Sequence, residues 1–390
     1  MVRSTDLYAI PETMSNCLLP PASMTVANFL SLKGPIPFSP KVPEIFPHDA
    51  PSQDVNIIQW FSAAQPNDIC TSVEDLVLPN RRVCIYIANG LEHAQDKNFQ
   101  SVRHPRNKNI RYPLWTARAY RDGSRLLEMQ ELWENCLLWV KTTSRKERWP
   151  DTFATEVYQA LNHCPYNAGL PGLEGTSQSS AITLASLLHK NKWLNSTTLD
   201  CMLNVVKYDY RSNISTTDVI AGTSLGQAIS QDETKGNSYE YWGSKLRSPG
   251  LNRIFFPLNI ANLHWISICI DVSAGIILVW DSLRKFSAPY RAKTMESIRK
   301  WLQRWLPDAE WEEEDAAAAQ QTDDSSCGIA AVNAIHRTLD NTAPIWSASR
   351  ASWMRAYYFK RCIEVGNAPR LSKQIDVRDE AQHYAILQDH

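Results

Sequence analysis

Two short apolar runs in the second half of the chain have the composition of β-strands. One is Leu263–Ile268 and the other is Leu278–Leu283, and both are rich in β-branched and aromatic residues. The residues between them, 272–275, predict a tight turn that makes the two strands neighbours. His264 at the start of the first strand and Asp281 near the end of the second would then lie in the same region of a sheet.

Similar patterns predict elements elsewhere in the chain. Apolar residues at helical spacing, with start and stop signals, predict helices at Arg125–Lys141, Pro150–Leu161, Thr197–Lys207, Met295–Trp305 and Trp346–Phe359. Apolar runs of strand length predict strands at Val55–Phe61 and Arg82–Ala88. A further helix begins at Cys327, with Ser325 or Ser326 as its N-cap.

The distribution of proline, glycine and serine divides the chain. Residues 1–55 are rich in proline, which blocks regular structure, and they form a predicted leader. Residues 56–165 form an N-terminal domain of unknown function, and the glycine- and serine-rich residues 166–180 form a linker. Residues 181–390 form the last domain. Within it, the polar residues 208–250 are interpreted as loop and partial helix over a cleft.

Composition narrows the class of protein. With 390 residues, 44% of them hydrophobic, the chain can bury a large core, and its net charge of −1 gives no general attraction to nucleic acid or membrane. Its nine cysteines occur without a Cys-x-x-Cys pair, which argues against a disulfide framework or a zinc knuckle. No apolar run is long enough for a membrane span, and no signal peptide is recognisable. We therefore expect an intracellular protein of nucleus or cytoplasm, with no metal or cofactor.

One basic segment, residues 103–125, leaves a nucleic-acid partner open. It contains seven arginine or lysine residues among Tyr112, Trp115 and Tyr120. Clustered cations can bind phosphates and aromatic rings can stack on bases. The alternative is a solvated face whose aromatic residues point into the core, and we prefer it because the segment is short and the overall charge is balanced.

Four residues of the last domain together suggest covalent catalysis. Cys327 in the first turn of a helix feels the positive end of the helix dipole, which favours the thiolate. His264 can take the thiol proton, and Asp281 can orient the imidazole. Gln321, six positions before the cysteine, can donate an N–H to the oxyanion of a tetrahedral intermediate.

The order and spacing of these residues carry a resemblance. His264-Trp265, then Trp280-Asp281-Ser282-Leu283, then Gln321 and Cys327-Gly328 resemble the ubiquitin-like-protein-specific proteases, the SUMO (sentrin) family of papain-like cysteine peptidases. Upstream, Lys192–Leu199 resembles the tryptophan-leucine-asparagine start of the family's first catalytic helix, and Ile254–Asn259 resembles the strand that precedes the family's histidine. The resemblance covers roughly residues 181–359.

The resemblance implies a fold and a substrate channel. The fold would be α+β, a papain-like catalytic domain with a central mixed or antiparallel sheet flanked by helices, preceded by an N-terminal extension. Trp193 and Trp265 would flank a channel narrow enough to select a Gly-Gly tail. At Ser196 family members often carry an acidic residue that binds the modifier, so ubiquitin or another relative of SUMO stays open as the partner.

The predicted function is that of a cysteine endopeptidase or isopeptidase. It would cleave after the C-terminal Gly-Gly of SUMO or another ubiquitin-like modifier, in precursors or in conjugates. Two alternatives are an acyltransferase of the same clan and a catalytically idle module, in a mobile-element or adaptor protein, that binds a modifier.

Overall fold

The chain divides into two compact units, residues 1–135 and residues 136–390. The structure is a computed structural model that describes residues 8–37, 57–96, 98–173, 180–211, 217–231 and 237–368. Parts of the predicted leader and linker, and residues 55–56 of a predicted strand, lie outside the described residues. The predicted division into leader, N-terminal domain, linker and catalytic domain stays a prediction.

The first unit combines helices with short strands. Its helices are α1 (Glu12–Leu18), α2 (Val26–Leu30), α3 (Arg81–Asp96) and α4 (Thr116–Lys146), and α4 continues into the second unit. Its strands are β1 (Ile36–Pro37), β2 (Phe61–Ser62), β3 (Val77–Leu78), β4 (Ser101–Arg103) and β5 (Arg111–Pro113). β1 pairs with β3 in parallel, and β2, β4 and β5 form an antiparallel sheet.

Two strand predictions in the first unit are wrong. Arg82–Ala88 lies in α3, where the side chain of Asn80 accepts a hydrogen bond from the backbone N–H of Val83 at 3.0 Å. That contact caps the start of a helix. An apolar run of this length fits either a helix or a strand, and the capping contact favours the helix. In the other run, Ile57–Trp60 forms a 3-10 helix and β2 begins only at Phe61.

The aromatic residues of the basic segment are in the core of the first unit. Tyr112, Trp115 and Tyr120 expose 3%, 3% and 0% of their surface. The guanidinium groups of Arg103 and Arg111 donate to the backbone carbonyls of residues 61 and 65. Rings buried in this way cannot stack on bases. Their burial agrees with the preferred interpretation, in which the aromatic residues of this segment point into the core.

The second unit contains a five-stranded mixed sheet between helices. Its helices are α5 (Asp151–His163), α6 (Ala181–Leu184), α7 (Ser196–Tyr210), α8 (Thr223–Ser230), α9 (Asn237–Lys245), α10 (Arg284–Trp305), α11 (Cys327–Leu339) and α12 (Ala351–Asn367). Its strands are β6 (Asp218–Ile220), β7 (Arg253–Ile260), β8 (His264–Asp271), β9 (Ile276–Trp280) and β10 (Glu312–Asp315). The strand order is β10-β9-β8-β7-β6. The three central strands are antiparallel, whereas the two edge strands run parallel to their neighbours.

Both faces of the sheet are covered, which confirms the predicted α+β class. Alternate residues of β7 and β8, such as Phe256 and Ile268, form one apolar core with α8, α9 and α10. On the opposite face the hydroxyl of Ser267 donates to the carbonyl of Ala331 in α11 at 2.5 Å. The sheet therefore fixes the position of the helix that begins at Cys327.

The predicted helices of the second unit are present, with extended or shifted ends. Thr197–Lys207 lies in α7, Met295–Trp305 in α10 and most of Trp346–Phe359 in α12. Residues 208–250 contain more regular structure than predicted, namely the end of α7 and all of β6, α8 and α9. Residues 212–216 and 232–236 of that stretch lie outside the described part of the chain.

Candidate active site

The β7–β8 hairpin places His264 at the first position of β8. Ala261 and Asn262 adopt the left-handed conformation, with φ of 54° and 60°, and the backbone N–H of Leu263 donates to the carbonyl of Ile260 at 2.9 Å. A tight turn with two left-handed residues matches the right-handed twist of the strands that it joins. The turn therefore places the histidine at the end of the sheet where β8 begins.

Asp281 follows the last residue of β9 and lies at the same end of the sheet. The turn between β8 and β9 uses the predicted residues, and Gly275 takes a φ of +70° that favours glycine. In the antiparallel pair the start of β8 lies beside the end of β9. His264 Nε2 is 2.8 Å from Asp281 Oδ1, and the two side chains expose 1% and 0% of their surface. The sequence-based placement of this pair is thus reproduced.

Asp281 receives neutral hydrogen bonds besides the one from the imidazole. Its Oδ1 accepts from the backbone N–H of Leu283 at 2.8 Å, and its Oδ2 accepts from the hydroxyl of Ser287 in α10. Burial alone would raise the pKa of this carboxyl, but the bonds from His264, Ser287 and Leu283 hold the pKa below its usual value. The carboxylate therefore stays ionised while it is completely buried.

The pKa of His264 is raised to about 9. Burial acts in the opposite direction, but it is outweighed by hydrogen bonds to Asp281 and Cys327 and by the negative charges of these two groups. Because Nε2 faces Asp281, the other ring nitrogen, Nδ1, is the one left for the sulfur. The imidazole thus contacts the aspartate and the cysteine at once, and its protonated form is favoured at neutral pH.

Cys327 is the first residue of α11 and exposes 6% of its surface. Of the two predicted N-cap residues, Ser325 and Ser326, it is Ser326 that occupies the N-cap position, but its side chain does not cap the helix. Instead Asp323 Oδ1 accepts from the backbone N–H groups of Ser325 and Ser326 at 2.8 and 2.7 Å, and its Oδ2 accepts from the Ser326 hydroxyl. The carboxylate offers two acceptor oxygens to this loop, whereas a serine offers one.

Gln321 is buried near the same helix start and its side-chain amide is held at both ends. Its Oε1 accepts from the Ser282 hydroxyl at 2.8 Å, and its Nε2 donates to the carbonyl of Asp323 at 2.6 Å. One of the two Nε2 hydrogens is used in that bond and the other can serve a ligand. Ser282 belongs to the Trp280–Leu283 motif, but its sequence context alone indicates no role for it.

A cleft of about 570 Å³ opens over the cysteine. It is lined by Trp193, Trp265 and Cys327, by the β7–β8 turn, and by residues of α8 and α10. Trp193 is 50% exposed, and the indole N–H of Trp265 donates to the carbonyl of Leu194 at 3.0 Å. Ser196, where the resemblance implies an acidic residue, also lines the cleft.

Comparison with known families identifies this part of the chain. Residues 192–365 match the family described as "Ulp1 protease family, C-terminal catalytic domain". Residues 192–365 are a Ulp1-family catalytic domain. The chain therefore carries a cysteine peptidase domain, and the predicted papain-like fold class and family are confirmed. No curated protein matches the chain.

Solved structures of Ulp1 proteases match this chain at low sequence identity and with TM-scores below 0.5. The yeast Ulp1 protease domain in complex with Smt3, the yeast ortholog of SUMO, is 17% identical, with a TM-score of 0.41 over 56% of this chain and 97% of that chain. A Chaetomium thermophilum Ulp1-like SUMO protease domain is 15% identical, with a TM-score of 0.41 over 57% and 92%. The Xanthomonas campestris effector XopD bound to ubiquitin is 17% identical, with a TM-score of 0.35 over 45% and 92%. The family assignment rests on the family match and not on these scores.

Membrane-spanning helices and metal-binding clusters are both absent from the described residues. None of their helices is both long enough and apolar enough to cross a bilayer. They also contain no group of three His, Cys, Asp or Glu residues that could hold a metal ion. The expected absence of a cofactor and the expected compartment stay predictions.

Proposed function

We propose that the chain hydrolyses the peptide or isopeptide bond after the C-terminal Gly-Gly of a ubiquitin-like modifier, with SUMO as the first candidate. The observation that carries this proposal is the buried His264–Asp281 pair in contact with Cys327 at the start of α11. The Ulp1-family match supports the reaction class. The complexes of related domains with Smt3 and with ubiquitin name two modifiers to test.

The geometry supports a two-step acyl transfer. The Cys327 thiolate attacks the carbonyl carbon of the terminal glycine, and the protonated His264 stands ready to give its proton to the departing amine. The second N–H of Gln321 and the first N–H groups of α11 are proposed to bind the oxyanion. Water, deprotonated by His264, then cleaves the thioester and releases the modifier with a free carboxyl group.

Trp193 and Trp265 are proposed to select the tail of the substrate. Both line the cleft that contains Cys327, and Trp265 is fixed by its bond to the carbonyl of Leu194. Residues with larger side chains than glycine would collide with indoles on either side of a narrow channel. This explains why a Gly-Gly tail is the proposed substrate.

Cleavage of defined substrates tests the proposal. Wild-type protein is expected to cleave SUMO extended beyond Gly-Gly, or a SUMO isopeptide conjugate, and Cys327→Ala is expected to abolish cleavage. Cys17→Ala is the matched control, because Cys17 is the more exposed thiol. A parallel series with ubiquitin substrates determines which modifier is preferred.

Two outcomes would contradict the proposal. One is cleavage that persists in Cys327→Ala. The other is a folded wild-type protein that cleaves none of the SUMO or ubiquitin substrates. In that second case, transfer of an acetyl group from acetyl-CoA to a protein amine would favour the acyltransferase, and modifier binding without any turnover would favour the idle binding module.

A further inference from the structure

Arg355 is a completely buried arginine in α12, at the back of the loop that leads to Cys327. It exposes 0% of its surface. Its Nη2 donates to the carbonyls of Ser325 at 2.7 Å and Lys192 at 2.9 Å, and its Nη1 donates to the carbonyl of Ser186 at 3.2 Å. One guanidinium thus joins the loop before Cys327 to residues 186–192, which are far from that loop in the sequence.

Two of those three carbonyls belong to segments that border the reacting sulfur. Ser325 lies two residues before Cys327, and Lys192 directly precedes the cleft residue Trp193. The hydroxyl of Ser325 also donates to the carbonyl of Lys190 at 3.0 Å. The backbone before the cysteine is therefore fastened to the backbone before the cleft tryptophan by Arg355 and by Ser325.

The loop is held from its other side by a carboxylate. Asp323 accepts the N–H groups of Ser325 and Ser326, while Arg355 binds the carbonyl of Ser325. Asp323 thus binds backbone N–H groups and Arg355 binds a backbone carbonyl of the same short segment, residues 325–326. A negative charge at the start of α11 also opposes the helix dipole, which on its own would favour a thiolate at Cys327.

The charge of Arg355 counteracts that carboxylate. Burial lowers the pKa of Arg355 to about 10, and the charges of Asp323 and Cys327 act to raise it, so the guanidinium is protonated at neutral pH. Its three assigned bonds go to neutral carbonyls. Among the residues that the structure describes, no carboxylate is in ion-pair contact with Arg355, so its charge is not neutralised by direct pairing.

We propose that Arg355 is a positioning residue for the Cys327 nucleophile. Through the carbonyl of Ser325 it fixes the backbone that presents the sulfur and the first N–H groups of α11, and its buried positive charge stabilises the thiolate. The role rests on the proposed function only in that Cys327 is the nucleophile. It is independent of which modifier is bound.

The reactivity of Cys327 in the full-length protein tests the electrostatic part. Iodoacetamide alkylates a thiolate with loss of iodide, and mass spectrometry reports the modified fraction of Cys327 separately from the other cysteines. In Arg355→Met we expect the rate to fall about tenfold near pH 6, where few thiols ionise unaided, with a much smaller loss near pH 9. A folded Arg355→Met protein that keeps the wild-type rate near pH 6 would overturn the proposal.

The matched control is Arg361→Met, a second arginine of α12. Arg361 pairs with Asp209 and Glu364, away from the cysteine loop. Loss of a partly buried arginine in α12 is therefore tested without a change at Ser325. An equal loss of Cys327 reactivity in Arg361→Met would mean a general effect of the helix and would also contradict the proposal.

Arg355→Lys separates charge from geometry and serves if Arg355→Met does not fold. A lysine keeps the positive charge, but one ammonium group cannot reproduce the fixed fork of a guanidinium. We expect alkylation near pH 6 close to the wild-type rate together with a lower kcat and a little-changed KM. Wild-type kcat in Arg355→Lys would overturn the positioning role.

The same experiment distinguishes failure of this proposal from failure of the proposed function. Alkylation needs no modifier, so it reports on Cys327 directly. If Cys327 of the wild type reacts no faster than Cys17, the proposed nucleophile is wrong. If Cys327 is reactive in the wild type and equally reactive in Arg355→Met, only the role of Arg355 is contradicted.

Discussion

His264 and His336 are both buried beside an aspartate, yet their surroundings act on the imidazole in opposite directions. Each exposes 1% of its surface. The pKa of His264 is raised to about 9. For His336, burial and the charges of Arg361 and Arg337 outweigh Asp209 and Asp340, and its pKa is lowered.

The partners of the two aspartates contribute to this difference, together with the contact between His264 and Cys327. Asp281 lies 2.8 Å from His264, and its other bonds come from the neutral Ser287 hydroxyl and the backbone N–H of Leu283. Asp209 lies 3.5 Å from His336 and is bound by the guanidinium of Arg361. The negative charge of a carboxylate with neutral partners raises the pKa of a neighbouring histidine. The positive charge of a paired arginine offsets much of that effect.

The largest expected effect comes from removing the charge of Asp281. Asp281→Asn is expected to lower kcat/KM by up to about 10⁴-fold, the loss caused by the equivalent change in a serine-protease triad, because the imidazole loses its orientation and its counter-charge. Steady-state cleavage of the preferred modifier substrate measures it. Asp209→Asn, at the second histidine, is the control and is expected to keep an activity close to wild type. Equal losses of kcat/KM in the two variants would contradict the claim that Asp281, and not Asp209, supports catalysis.

The next effect concerns the side-chain amide of Gln321. Gln321→Ala is expected to lower kcat by about 10²- to 10³-fold with little change in KM, because an oxyanion donor acts mainly in the transition state. Gln303→Ala is the control, since that exposed amide donates to the carbonyl of Pro307 at the far end of α10. A rise in KM with unchanged kcat would show that Gln321 binds substrate in the ground state instead.

The smallest effect is a difference in titration between the two histidines. Because its folded-state pKa is raised, His264 contributes stability that is fully present below its ordinary value of 6.5 and is lost as the pH rises through about 9. His336, with a lowered pKa, contributes stability that is lost as the pH falls below that ordinary value. NMR of protein with labelled histidine, assigned with His264→Gln and His336→Gln, follows both. A neutral His264 at pH 7 would contradict this comparison.

The sequence was sufficient for those parts of the site that lie on regular elements. His264 and Asp281 lie at the ends of strands whose pairing follows from apolar runs and a glycine turn, and Cys327 begins a helix of small and apolar residues. Strand and helix periods are local properties, so one sequence is enough to place these residues. The prediction failed at Arg82–Ala88, where a short apolar run fits either element and the decisive capping contact of Asn80 was overlooked.

The supporting groups could not be found in this way because their partners are distant or unspecific. Arg355 binds carbonyls of residues 186 and 192, more than 160 positions away, and a backbone carbonyl leaves no mark in the sequence. Ser287 reaches Asp281 only because α10 begins directly after β9. Nothing in the sequence distinguishes these residues from other arginines and serines.

The most direct measurement of the central claim is the site of a covalent adduct. Full-length protein is treated with SUMO, ubiquitin and other modifiers that carry an electrophile in place of the C-terminal carboxyl group, and the modified cysteine is located by mass spectrometry. The account predicts an adduct on Cys327 that disappears in Cys327→Ala and forms more slowly in Asp281→Asn. An adduct on another of the nine cysteines, or none with any modifier in folded protein, would contradict it.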